Sequence, residues 1–65
     1  MCIIHNMKSR DLIKEVEKAG WILDRTRGSH HVFRHPHYSH HITIPHPKKE
    51  IGVGLVRAIH KQAGL

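Results

Sequence analysis

The spacing of apolar residues predicts one helix near each end of the chain. Near the N-terminus, one helical stripe carries Leu12, Ile13, Val16 and Ala19. We expect this helix to have Ser9 as its N-cap and to end at Gly20. Near the C-terminus, the same spacing returns at Val53, Val56, Ile59, His60 and Ala63. Gly64 follows as the predicted C-terminal cap.

Between these helices, short runs of apolar and β-branched residues predict three strands, over residues 21–26, 30–34 and 40–44. Short turns connect the strands, so neighbouring strands should pair antiparallel. Two short helices can cover only one face of such a sheet. The expected fold is therefore α+β, in the order α-β-β-β-α, with a three-stranded antiparallel sheet and both helices on one face.

The sequence does not decide which face of the second strand points outward. Its alternate residues form the sets His30, Val32, Arg34 and His31, Phe33, His35. Each set contains one apolar side chain, so alternation alone assigns neither set to the core.

The length of 65 residues fits one small domain, which we place at residues 7–65. Residues 1–6 precede a second methionine and are expected to be an extension, either disordered or arising from an upstream start. No apolar stretch approaches the roughly 20 residues that span a bilayer. A single cysteine, Cys2, excludes internal disulfides. We therefore expect a cytoplasmic protein with no membrane partner.

The chain is strongly basic, with 11 Lys and Arg against five Asp and Glu and a formal charge of +6. The cations that cluster around the predicted sheet are Arg25, Arg27, Arg34, Lys48 and Lys49. Such a cluster can bind phosphate, and nucleic acid is the commonest partner of this kind. A solvated basic surface that keeps a small protein in solution is the alternative.

Histidine is unusually frequent, with nine in the chain and seven of them between positions 30 and 46. Imidazole can transfer protons near neutral pH, as RNA cleavage requires, or it can bind a transition metal. Spacings typical of zinc sites are missing, and histidines that alternate along strands would scatter over both faces of the sheet. We therefore expect no metal site and no cofactor.

RNA cleavage needs little protein machinery, because the nucleophile is the 2′-hydroxyl of the substrate itself. His30 is the best-placed base or acid, since it follows the Gly28–Ser29 turn beside two arginines; a structural histidine is the alternative. The adjacent His31 should face the opposite side of the sheet. A second proton-transfer group would come from His41 or another residue of the third strand, unless one histidine or water serves both steps.

A set of residues spread over most of the chain matches one known family. The set comprises Gly20, Trp21, Arg25, Gly28, Ser29, His30, His31, Pro36, residues 42–45 and residues 61–65. Together they resemble the HicA family of bacterial and archaeal toxins, sometimes called YcfA-like, from about Met7 to Leu65. The chain departs from the family pattern at residues 53–55, where a Lys-Gly-Thr-like step is common.

The resemblance implies a fold similar to a double-stranded RNA-binding domain and an activity as a ribosome-independent mRNA interferase. It also implies a HicB-type antitoxin that masks the active site. We expect the toxin to be monomeric when free and to form a higher assembly with the antitoxin. The catalytic histidine of the family follows the Gly-Ser turn, which corresponds to His30 here. We expect the RNA to be held by Arg25, Arg27, Ser29, Arg34, Lys48 and Lys49.

The leading hypothesis is thus a metal-independent endoribonuclease toxin that cleaves mRNA. A non-catalytic module of the double-stranded RNA-binding type is the alternative, for which the basic cluster suffices. A structural or metal-buffering protein is a third hypothesis, which predicts stoichiometric metal uptake.

Overall fold

The structure is a computed structural model that describes residues 5–65. Its elements are α1 (Ser9–Lys18), β1 (Ile22–Arg27), β2 (His30–His35), β3 (Tyr38–Pro45) and α2 (Val53–Ala63). The strands form one sheet in the order β1-β2-β3, and both neighbouring pairs are antiparallel. The predicted fold class is confirmed.

The expected N-terminal extension is described only in part, because residues 1–4 lie outside the described residues. His5 and Asn6 are exposed and precede the first regular element. Met7 exchanges two main-chain hydrogen bonds with Ile51, at 3.1 and 2.6 Å. This pair joins the segment before α1 to the segment before α2. In residues 5–65, no helix has the length and apolar character needed to cross a bilayer.

The hydrophobic core lies between one face of the sheet and both helices. Its fully buried members are Leu12, Val16, Trp21, Phe33, Ile42, Ile44, Ile51, Val56, Ile59 and Ala63. Burying a large apolar side chain contributes about 1.5–3 kcal/mol, so this face holds the domain together. The opposite face of the sheet carries no helix among the described elements and meets solvent.

Packing decides the question that alternation left open on β2. Phe33 is 1% exposed and belongs to the core cluster. His31 and His35 share its face and are half-buried, whereas His30 and Arg34 are exposed. On β3, buried Ile42 and Ile44 alternate with exposed residues, as predicted. The face with His30 is therefore the open face.

The element boundaries differ slightly from the predicted ones. β3 begins at Tyr38 rather than at position 40, and β2 continues through His35, because these residues pair across the β2–β3 turn. β1 begins at Ile22, one residue later than predicted. Trp21 instead fills the core where α1 ends, with its main-chain N–H donating to Val16 O and its indole Nε1 to Ala63 O.

The prediction that Ser9 caps α1 is wrong. Lys8 occupies the N-cap position, without a side-chain capping bond, and Ser9 is the first residue of the helix. The Ser9 side chain is buried because the loop after β3 packs against it. Its Oγ accepts a hydrogen bond from the Lys48 N–H at 2.9 Å and lies 2.7 Å from His46 Nδ1. These partners come from residues almost 40 positions away, which a local pattern cannot reveal.

The helix C-termini are completed by groups that include two histidines of the strands. Gly64 adopts the left-handed conformation at the end of α2, with φ of 78°, which confirms the predicted cap. His35 Nε2 donates to the Ala19 carbonyl at 3.0 Å, and His40 Nε2 donates to the Gln62 carbonyl at 2.8 Å. These bonds satisfy carbonyls that helix ends leave unpaired. Two of the many histidines thus have structural roles.

Candidate functional site

The open face of the sheet contains a shallow depression of about 400 Å³. Its lining residues are Arg25, Arg27, His30, Val32, His41 and Thr43. The floor is Val32, which is only 7% exposed although it lies on the open face. Val32 pairs with Arg25 on β1 and with Thr43 on β3, so each of the three strands contributes one residue to the centre of the depression. The depression is therefore built on the sheet itself.

His30 lies at one end of this depression, where β2 begins. The preceding turn contains Gly28, whose φ of 58° suits glycine. The turn sets His30 opposite Arg27 on β1 and Pro45 on β3. The imidazole is exposed, so a bound phosphodiester can reach it directly. Arg25 and Arg27 supply cationic donors to the same depression.

His41 shares the depression but lies toward its other end. β3 pairs Thr43 with Val32 and Ile42 with Phe33, so His41 lies one residue beyond Ile42. His30 pairs with Pro45, which is four residues away from His41 along β3. At about 3.3 Å per residue, these four residues span about 13 Å. Side chains stand nearly perpendicular to a sheet. The two imidazoles therefore lie toward different ends of the depression.

His31, the neighbour of His30, faces the helices instead. It is half-buried, and its ring packs edge-on against His46 with 4.8 Å between the ring centroids. Its Nδ1 is buried and has no hydrogen-bond partner among the described residues. Alternation along β2 thus places two adjacent histidines in different environments. Of these two, His30 is the one that is accessible from the open face.

Asp24 links two of the predicted RNA-binding arginines. Its Oδ2 accepts a hydrogen bond from Arg25 Nη1 at 2.7 Å, and its Oδ1 lies 3.6 Å from Arg34 Nε. Arg34 therefore lies beside the depression without lining it. Sequence reasoning missed Asp24; the available signal was that it is the only acidic residue between Lys18 and Lys49.

Lys48 and Lys49 line a different surface from His30. They belong to a groove of about 550 Å³ at the start of α1, which we call the basic groove. Its lining residues are Lys8, Ser9, Arg10, His46, Pro47, Lys48 and Lys49. The two surfaces meet at the turn before His30, because the His46 N–H donates to the Ser29 carbonyl at 2.7 Å. The predicted site residues thus form two adjoining basic surfaces.

The histidines do not assemble into a metal-binding group. Within residues 5–65, no three His, Cys, Asp or Glu side chains lie close enough together to hold a metal ion. His60 pairs with Glu15 across the two helices, at 2.6 Å between Nε2 and Oε1. The chemistry that the open face offers is proton transfer by imidazole beside guanidinium groups.

Fold and surface together define a small basic α+β domain with an open sheet face that presents a histidine beside two arginines. The family model for the HicA toxin of bacterial toxin-antitoxin systems matches residues 9–65, and the chain belongs to this family. The resemblance seen in the sequence is thereby confirmed.

A solved structure gives an independent comparison. A chain in a structure titled "HicA3 and HicB3 toxin-antitoxin complex" is 40% identical and superposes with a TM-score of 0.81. The match covers 91% of this chain and 96% of that chain. No curated protein matches the chain. The α-β-β-β-α architecture is thus shared with a structure from a toxin-antitoxin complex.

Proposed function

We propose that this protein is the toxin of a HicAB-type pair and a metal-independent endoribonuclease that cleaves mRNA in the cytoplasm. Membership of the HicA toxin family supports the toxin role. The observation that carries the nuclease role is the exposed His30 in a depression that also contains Arg25 and Arg27. The active domain is residues 7–65, since Met7 pairs with Ile51 within the fold.

In the proposed reaction, neutral His30 removes the proton of a ribose 2′-hydroxyl. The 2′-oxygen attacks the adjacent phosphorus, the bond from phosphorus to the 5′-oxygen breaks, and that oxygen takes a proton from water or from the histidinium. The products are a 2′,3′-cyclic phosphate and a 5′-hydroxyl end. Arg25 and Arg27 stabilise the negative charge that builds up on the phosphoryl oxygens. A positioned acid or base contributes typically 10²–10⁴-fold to such a rate.

The remaining predicted RNA-binding residues hold the chain on either side of the cleaved bond. Lys48 and Lys49 of the basic groove bind the backbone as it passes over the Ser29 turn, and Arg34 binds beyond Arg25. The contact between Ser29 and His46 supports this path, because it joins the depression to the basic groove. Each lysine adds a phosphate contact that salt weakens.

A HicB-type antitoxin is the proposed protein partner. The solved relative comes from a complex of HicA3 with HicB3. A net charge of +6 favours a partner with an acidic surface, which would cover the depression and exclude RNA. We expect the free toxin to be monomeric and the complex with the antitoxin to be a larger assembly.

The test compares the wild type, His30→Ala and His37→Ala on end-labelled mRNA in excess EDTA. His37 is exposed in the turn between β2 and β3, so His37→Ala also removes one imidazole but leaves the depression unchanged. We expect the wild type and His37→Ala to cleave equally, and His30→Ala to lose at least about 100-fold in rate. Circular dichroism confirms that each variant is folded.

Two outcomes would contradict the proposal. Wild-type protein that binds RNA without cutting it would favour a non-catalytic RNA-binding module, for which the two basic surfaces suffice. Cleavage that EDTA abolishes and added metal restores would remove metal independence and would reopen the metal hypothesis.

A further inference from the structure

A β-bulge on the edge strand β1 lies next to the depression. Leu23 pairs with Phe33, and Arg25 pairs with Val32, so Asp24 is an extra residue on β1. In a regular strand, two adjacent side chains point to opposite faces. A bulge changes this direction locally and is often found where a side chain must be re-aimed. Here it allows Asp24 to contact both Arg25 and Arg34 on the open face.

The Asp24 carboxylate bridges two guanidinium groups. It is 2.7 Å from Arg25 Nη1 and 3.6 Å from Arg34 Nε, and its side chain is 27% exposed, against 54% and 53% for the arginines. An exposed arginine has many rotamers, and fixing one of them costs conformational entropy. Because the carboxylate already restricts both arginine side chains, part of this conformational entropy is lost before RNA binds.

A carboxylate in this place has a clear disadvantage for RNA binding, because it repels phosphate and offsets the charge of the arginines. Its presence in the middle of a basic surface therefore indicates a role other than raising the affinity for RNA. Arg25 paired with Asp24 contributes oriented N–H donors more than net charge. Arg27 differs, since none of the ion pairs within residues 5–65 includes it.

We propose that Asp24 is a positioning residue, which holds the Arg25 guanidinium in the lining of the depression. The second ion pair, with Arg34, fixes the orientation of the Asp24 carboxylate. The inference rests on the proposed nuclease function. Asp24 lowers the affinity for RNA and raises the rate at which bound RNA is cleaved, because Arg25 then meets the developing charge without reorientation. Arg27 supplies the electrostatic attraction.

The test replaces Asp24 by Asn and measures RNA binding and single-turnover cleavage separately. Binding is measured on an RNA with a 2′-deoxy residue at the cleaved position. We expect Asp24→Asn to bind as tightly as the wild type or more tightly. The slope of log K against log salt concentration should be steeper by up to about 0.7. The cleavage rate at saturating protein should fall about fivefold to tenfold, which corresponds to about 1–1.4 kcal/mol. Asp24→Glu keeps the carboxylate and should recover part of the rate.

Glu17→Gln is the matched control. Glu17 is exposed on α1, so its substitution changes the net charge by the same amount without touching the depression. It should cleave bound RNA at the wild-type rate. Wild-type cleavage by Asp24→Asn, or an equal loss in Glu17→Gln, would overturn the positioning role.

A second readout does not depend on cleavage. The ¹⁵N relaxation of the arginine Nε groups in free protein should show Arg25 and Arg34 more ordered than Arg27, with the difference lost in Asp24→Asn. Equal mobility of all three in the wild type would overturn the inference. If neither wild type nor Glu17→Gln cleaves RNA, the nuclease proposal fails, and these relaxation data alone decide whether Asp24 orders the arginines.

Discussion

The buried Ser9 hydroxyl joins the start of α1 to the loop that carries Lys48, and Ser9→Ala tests this connection. The substitution removes the acceptor of the Lys48 N–H and the partner of His46 Nδ1, which lie 2.9 and 2.7 Å from Oγ. The Ser9 main chain stays in place, because its N–H still donates to the Lys48 carbonyl at 3.0 Å. The change therefore isolates the hydroxyl.

The expected loss follows from burial. Ser9 is 2% exposed, whereas His46 is half-buried and Lys48 is exposed, and all three line the basic groove. Leaving a buried donor without its acceptor costs about 1–3 kcal/mol, and we take about 1 kcal/mol because water from the groove can reach the groups left behind. In a domain of this size, 1 kcal/mol shifts Tm by roughly 4–8 °C, so the loss should lower Tm by this amount.

The assay combines thermal unfolding with amide hydrogen exchange. Ser39→Ala, at an exposed position on β3, is the matched control and should change stability by less than about 0.5 kcal/mol. In Ser9→Ala, the Lys48 amide should exchange faster. The amides of Asp11 and Leu12 should stay protected, since both donate to the Lys8 carbonyl. Equal Tm values for the two variants, or faster exchange confined to the first turn of α1, would refute the reasoning.

Gly20→Ala and Glu15→Gln test two further contacts that hold the fold, and Gly28→Ala is the control for Gly20→Ala. Gly20→Ala and Gly28→Ala both place a side chain at positive φ, at a cost of about 1 kcal/mol. At Gly20 the new Cβ would also lie 2.7 Å from His35 Nε2, which must then move away from the Ala19 carbonyl. Gly20→Ala should therefore cost at least about 1 kcal/mol more than Gly28→Ala. Equal unfolding temperatures for the two variants would contradict this. Glu15→Gln removes the carboxylate oxygen that lies 2.6 Å from His60 Nε2 and should cost about 0.2–1 kcal/mol. Urea unfolding measures this cost, and wild-type stability of the variant would count against the contact.

Much of the site was predictable from short-range features. The position of His30 at the start of β2 followed from a glycine turn between two strands, and the turn lies where it was expected. Arg25 and Arg27 could be placed with it because they belong to the paired strand. Lys48 and Lys49 could not be placed in this way, since the path of the loop after β3 depends on its packing against α1.

The sequence by itself determined the order of the helices and strands, the Gly64 cap, the family and the strand end that carries His30. The order of the elements, the cap and the place of His30 depend on periodicities of 3.6 and 2 residues and on local turns, whereas the family rests on a set of matching residues. Only the tertiary structure decided which face of β2 is open, which partners bury Ser9 and how the bulge turns Asp24 toward two arginines. Each of these depends on strand register or on contacts between residues far apart in the chain, for which local spacing carries no information.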